Sequence, residues 1–145
     1  MIESDAYTLT KTFRPLIVCL CGSTRFKDAF ESANVAETRV GKIVLSVGFF
    51  GTSESASARD AGLVSPELKT RLDELHLRKI DLADEVLVLN VGGYVGKSTR
   101  REAWYATRLG KTVRWLEPEK ITQEEIETWF ASWADWTEAG AGAAA

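Results

Sequence analysis

Residues 86–105 read VLVLNVGGYVGKSTRREAWY and predict a buried strand, a glycine-rich turn and a helix. Such a turn makes a ligand site, because unpaired backbone amides and the positive end of the helix dipole converge there. The strand and turn therefore predict one side of a binding crevice. We expect the following residues to line it: Asn90, Gly92, Gly93, Tyr94, Gly96, Lys97, Ser98 and Thr99.

Glu102 follows this turn on the predicted helix and allows two interpretations. In the first, Ser98 or Thr99 caps the helix and Glu102 completes a capping box. In the second, the carboxylate points into the pocket formed by the loop and acts as a nucleophile or base. The sequence pattern around Glu102 is compatible with both.

A second strand-to-helix turn lies near the start of the chain, where an apolar strand over 16–21 precedes Gly22, Ser23, Thr24 and Arg25. The structural interpretation is that Ser23 or Thr24 caps the following helix. The functional one is that Gly22 admits a ligand to which the next three residues donate hydrogen bonds. The turn has neither a P-loop ending nor a dinucleotide-binding glycine pattern.

The remaining pattern alternates strands and helices, which predicts a single-domain α/β fold with a doubly wound parallel sheet of four to five strands. The first and third predicted strands end in the two turns, so neighbouring strands would bring both loops to one crevice. Ser65 and Thr122 are predicted helix caps, and the tryptophans of the last helix are expected to pack on the sheet or at a dimer contact. Further strands are predicted over 43–50, 85–90 and 112–116, and helices over 26–40, 65–82, 99–109 and 122–133. The segment over 51–62 is predicted to be a lid or a surface insertion. The domain is expected to span residues 16–136, between an N-terminal arm over 1–15 and a disordered tail over 137–145.

Composition restricts the classes of partner. The chain has 145 residues, a formal charge of −3 and a pI near 5.3, which lacks the basic character of a nucleic-acid-binding domain and favours a small-molecule partner. Its N-terminus lacks the features of a signal peptide and no apolar run would span a bilayer, so a cytoplasmic protein without membrane contact is expected. Cys19 and Cys21 are read as reduced core residues and His76 as a structural or surface residue, so no metal or cofactor is expected.

Three ordered motifs resemble the nucleoside 2-deoxyribosyltransferase superfamily, which includes nucleotide N-glycosidases and shares a small flavodoxin-like fold. They are CGSTR at 21–25, LADEVLVLN at 82–90 and GKSTRREAWYATRLGK at 96–111. By this resemblance Glu102 is the catalytic carboxylate, which attacks the anomeric carbon before water or an acceptor completes the reaction. The resemblance also implies a flavodoxin-like fold and a homo-oligomer, dimer or higher, in which a second subunit completes the site.

The sequence departs from the family pattern at two positions. His76 stands where the family has an aspartate that contacts the base, and Gly96 stands where it has a carboxylate. These departures favour hydrolysis over transfer, while Lys97, Ser98 and Thr99 favour a nucleoside 5′-monophosphate over a free nucleoside. Two alternatives remain: a phosphoribohydrolase of the cytokinin-activating type, and a non-catalytic nucleotide-binding or sensor domain.

Overall fold

The computed structural model describes residues 14–48 and 65–133. These residues form a four-stranded parallel sheet flanked by four α-helices, which confirms the predicted doubly wound α/β class. The elements are β1 (Ile17–Cys21), α1 (Lys27–Arg39), β2 (Ile43–Leu45), α2 (Pro66–Leu82), β3 (Glu85–Val88), α3 (Lys97–Arg108), β4 (Thr112–Trp115) and α4 (Gln123–Ala131), with 3-10 turns at Val91–Gly93 and Pro118–Lys120.

The sheet has the order β2-β1-β3-β4, so the strands that precede the two predicted ligand loops are neighbours. Cys19 pairs with Val86 of β3 on one side and with Leu45 of β2 on the other. All the strand pairs are parallel, and both loops therefore leave the same edge of the sheet.

The strand β1 contributes to a hydrophobic core on each face of the sheet. Val18 and Leu20 pack with Phe30 of α1 on one face. Cys19 and Cys21 point to the other face, where they pack with residues of α2 and α3. A run of apolar residues with no polar alternation is what a strand covered on both faces requires.

The face that α2 turns to the sheet differs in part from the predicted one. The leucine spacing predicts a core stripe of Leu68, Leu72, Leu75 and either Ile80 or Leu82. Ile80 is buried as that pattern allows, but Leu75 is 51% exposed, and His76 and Leu77 are buried instead. Leucines occur in more than one helical phase along this segment, so the apolar pattern did not fix the rotation of the helix. His76 consequently faces the core and lies against the face of β1 that carries Cys19 and Cys21.

Two predicted helix caps are confirmed. The Ser65 hydroxyl accepts a hydrogen bond from the Leu68 amide at 3.0 Å, with Pro66 at the first helical position. The Thr122 hydroxyl accepts one from the Glu125 amide at 3.1 Å. These bonds satisfy amides that have no partner within their helices.

The aromatic side chains of α4 and of Trp133, just after it, pack against the sheet and α3, in agreement with the first of the two predicted roles. The ring of Trp129 lies 6.2 Å from that of Trp115 on β4, and Trp133 lies 6.0 Å from Trp104 on α3. The predicted arm up to residue 13, the segment over 51–62, residues 49–50 and the tail lie outside the described residues. The strand predicted over 43–50 is too long, because β2 ends at Leu45 and residues 46–48 are not strand. In the described ranges, no helix combines the length and apolar character needed to cross a membrane.

Asp84, which precedes β3, ties the start of β1 to the sheet. Its carboxylate accepts hydrogen bonds from Arg14 at 2.6 and 3.0 Å and from the Ile17 amide at 2.7 Å. The bond from Arg14, followed by that from Ile17, lowers the pKa of Asp84 to about 2. The ionised form is therefore stabilised in the folded protein.

We expect Asp84→Asn to lower the free energy of unfolding by about 1 kcal/mol at neutral pH, because a partly exposed ion pair and one charged hydrogen bond are weakened. A depressed pKa stabilises the fold above the ordinary value of 3.8 and ceases to do so as pH falls toward about 2. Urea denaturation of both proteins should therefore show a difference that shrinks across this range. A difference independent of pH would contradict the role given to the charge.

Candidate active site

The two ligand loops meet above the boundary between β1 and β3. The Arg25 guanidinium lies 4.4 Å from the centre of the Tyr94 ring, and the Phe26 ring packs edge-on against Tyr94 at 5.9 Å. Tyr94 also reaches Gly96, where an added Cβ would lie 3.2 Å from the tyrosine hydroxyl. Tyr94 therefore joins the first loop to the start of α3.

The first loop has a different local structure from the predicted cap. The N-cap of α1 is Phe26 and receives no side-chain hydrogen bond, so neither Ser23 nor Thr24 caps the helix. The Ser23 hydroxyl instead accepts a bond from the Arg25 amide at 3.3 Å within the turn. A Cβ at Gly22 would lie 3.1 Å from the Cβ of Leu89, so close packing explains this glycine.

The second loop is anchored by Glu117, which follows β4. The buried Asn90 side chain donates to the Glu117 carbonyl at 2.9 Å and accepts from the Glu117 amide at 2.8 Å. The Glu117 carboxylate also accepts a bond from the Gly92 amide at 3.0 Å. Gly92 and Gly93 have φ values of 63° and 86°, a conformation that favours glycine. Asn90, predicted as a ligand contact, thus shapes the loop through both ends of its amide.

The helix α3 begins two residues earlier than predicted, and its N-cap is Gly96 with no side-chain hydrogen bond. The first hydrogen bond of the helix runs from the Arg100 amide to the Gly96 carbonyl. The amides of residues 97–99 therefore have no partner within the helix. Glu102 lies in the second turn. The capping-box interpretation of Glu102 is therefore wrong, because the carboxylate is too far along the helix.

Glu102 is 9% exposed and lies beside the end of β1, near Cys21. Burial raises the pKa of Glu102 to about 7, opposed in part by the charge of His76. A buried carboxylate is destabilising unless it has partners, and here it has the charge of His76 and a hydrogen bond with Cys21.

The remaining predicted contacts near α3 differ in exposure. Lys97 and Ser98 are exposed at the start of the helix, whereas Thr99 is 4% exposed. Lys69 of α2, which the sequence pattern did not single out, lies with its ammonium 3.5 Å from the Ser98 hydroxyl. Two lysines, one from each helix, therefore flank this turn.

His76 does not lie on the surface, because its ring contacts the two cysteines of β1. Its Nε2 lies 3.6 Å from the Cys19 sulfur and 3.4 Å from the Cys21 sulfur. Burial lowers the pKa of His76, but the hydrogen bond with Cys19 and the charges of Glu102 and Cys19 together outweigh burial and raise the pKa to about 9. The hydrogen bond from Cys21 lowers the pKa of the Cys19 thiol, while burial raises that of Cys21.

Thiol sulfur and imidazole nitrogen are atoms that transition metals bind, so these three side chains are candidate ligands. The expectation of no metal rested on an isolated histidine. That premise is wrong, because helix packing brings both thiols to the ring. The role predicted for His76 in base recognition stays a prediction, and the ring is 6% exposed.

Comparison of the chain with known protein families, with curated proteins and with solved structures finds no match. The class of protein is therefore defined by its fold and by the site alone: a parallel α/β domain with a buried carboxylate beside the end of β1.

Proposed function

We propose that this protein hydrolyses the N-glycosidic bond of a nucleoside 5′-monophosphate or a nucleoside, with Glu102 as the nucleophile. The observation that carries the proposal is the position of Glu102, a carboxylate 9% exposed at the carboxyl edge of β1, without a capping role. Transfer of the 2-deoxyribosyl group to an acceptor base is the variant of this reaction that the same intermediate allows.

The chemistry requires a carboxylate in such a place. Cleavage of an N-glycosidic bond passes through an oxocarbenium-like state, which a carboxylate stabilises or traps as a glycosyl-enzyme. In the proposed reaction Glu102 forms a bond to the anomeric carbon as the bond to the base breaks, and the base takes a proton from solvent as it leaves. Water then attacks the same carbon and loses a proton to solvent, and the carboxylate is released.

The loops supply groups that suit the rest of a nucleotide. Arg25 and Tyr94 stack at the rim, where a planar base or a sugar hydroxyl would find aromatic and cationic partners. The amides of residues 97–99 and the side chains of Lys97 and Ser98 suit a 5′-phosphate. The same proposal includes two expectations from the sequence: that the protein forms a homo-oligomer and that it is cytoplasmic.

The proposal is tested by incubating the purified chain with a panel of nucleosides and nucleoside 5′-monophosphates, followed by chromatography for free base. Release of free base with the matching sugar or sugar phosphate is expected for at least one member. Release of base only from cytokinin-type ribonucleotides would select the phosphoribohydrolase. A tight nucleotide complex with no turnover on long incubation would select a sensor and contradict hydrolysis.

A further inference from the structure

Three atoms of kinds that bind metals lie close together between β1 and α2. The Cys19 sulfur, the Cys21 sulfur and a ring nitrogen of His76 all lie within 4.8 Å of one another. Both cysteines are free and fully buried, and His76 is 6% exposed. The strand supplies two of these side chains and α2 supplies the third, so the fold itself holds the group together.

The distances match those of a tetrahedral metal site. With metal–sulfur and metal–nitrogen bonds of usual length, a sulfur and a nitrogen bound to one Zn²⁺ are about 3.6 Å apart. The observed distances from His76 Nε2 are 3.6 Å to Cys19 and 3.4 Å to Cys21. Such a site places its two sulfurs about 3.8 Å apart, and the Cys19 and Cys21 sulfurs lie within 4.8 Å of each other.

Apolar side chains surround the three candidate ligands. Leu77, Ile80 and Val86 belong to the same apolar cluster as the cysteines. A buried imidazole requires compensation, and here the two sulfurs and the charge of Glu102 provide it. A disulfide is a poor alternative, because residues two apart on an extended strand are separated by about 6.6 Å, near the upper limit for that bond.

We propose that Cys19, Cys21 and His76 bind one Zn²⁺ per chain in a buried three-ligand site. The ligand set of two thiolates and one imidazole suits a thiophilic cation, and binding releases the two thiol protons. This inference goes beyond glycosidic cleavage and does not depend on it. It departs from the sequence-based expectation that the protein holds no metal.

The test uses Co²⁺ as a spectroscopic probe on the reduced, full-length chain without an affinity tag. The chain has two cysteines and one histidine, so a thiolate-to-cobalt charge-transfer band reports on this site alone. Co²⁺ is added to the native protein and, separately, during refolding, so that slow access to a buried site does not count as absence of binding. We expect the band to saturate at one Co²⁺ per chain and Zn²⁺ to displace it.

Single substitutions distinguish the proposed metal ligands from side chains that only lie near them. Cys19→Ala, Cys21→Ala and His76→Gln should each weaken Co²⁺ binding about a hundredfold or more, because even groups that only orient ligands contribute ten- to a hundredfold. His76→Leu repeats the third test with an apolar residue of similar size. Glu102→Gln is expected to keep the charge-transfer band, and its loss of base release tests the glycosidase separately.

The outcomes decide the proposal. Circular dichroism first establishes that each variant is folded, and the wild type should show a rise in thermal midpoint with Zn²⁺ that a chelator reverses. Absence of a charge-transfer band after both treatments would overturn the proposal. So would a band and a thermal shift that both His76 variants leave unchanged, since the imidazole would then not be a ligand.

Discussion

Glu102→Gln is expected to abolish base release while the fold remains intact. Glutamine has the shape of glutamate but cannot form the glycosyl bond, so we expect a loss in kcat/KM of about a thousandfold or more. The measurement is chromatographic release of free base, with the wild type and the variant assayed under the same conditions. Unchanged circular dichroism and thermal midpoint would show that the loss is chemical.

Glu31→Gln is the matched control, because Glu31 is an exposed carboxylate on α1, the helix that packs against the opposite face of the sheet. It should retain wild-type activity. If Glu102→Gln instead keeps more than about a tenth of wild-type activity, the loss of transition-state stabilisation is under about 1.4 kcal/mol. That result would rule out Glu102 as the nucleophile.

The overall fold was predictable from the sequence because its strands are continuous runs of apolar residues. The run at residues 16–21 predicts a strand buried on both faces, and the structure has β1 at Ile17–Cys21 with a core on each side. Alternation with helices then leaves few topologies, since parallel crossovers have one handedness. The meeting of the two loops at one crevice follows from the order of the strands.

The helix rotation of α2 was not predictable from local pattern. Leu75 and His76 are adjacent in sequence, yet the leucine faces solvent and the histidine faces β1. Which side of such a helix is buried depends on the shape of the sheet face that it meets, and that is a tertiary property. The cluster of His76 with Cys19 and Cys21 was missed for this reason, although the spacing of the cysteines on one strand face was visible.

The role of Asn90 was also hidden in the sequence. A polar residue at the carboxyl end of a buried strand is a reasonable ligand contact, but both ends of this amide bond to the backbone of Glu117. Glu117 is 27 residues further along the chain, directly after the predicted strand over 112–116. Contacts of that sequence separation require the strand order to be known first.

The second large effect that we expect is a preference for a substrate that carries a 5′-phosphate. If Lys97, Ser98 and Arg25 contact it, charge-assisted hydrogen bonds of about 1.5 to 3 kcal/mol each would favour the monophosphate by roughly ten- to a hundredfold or more. Lys97→Ala and Ser98→Ala should each reduce this preference while leaving kcat/KM for the free nucleoside nearly unchanged. The measurement is the ratio of kcat/KM for a nucleoside 5′-monophosphate to that for its nucleoside.

Arg39→Ala provides the matched control, since Arg39 is an exposed cation in the last turn of α1, at the opposite edge of the sheet from the loops. Removing it changes the net charge as Lys97→Ala does, and the ratio should not move. A wild type indifferent to the phosphate would contradict the proposed contact. A preference that survives Lys97→Ala, Ser98→Ala and Arg25→Ala would show that the phosphate binds elsewhere, because the exposed cation at the start of α3, its neighbouring hydroxyl and the cation of the first loop would all have been removed in turn.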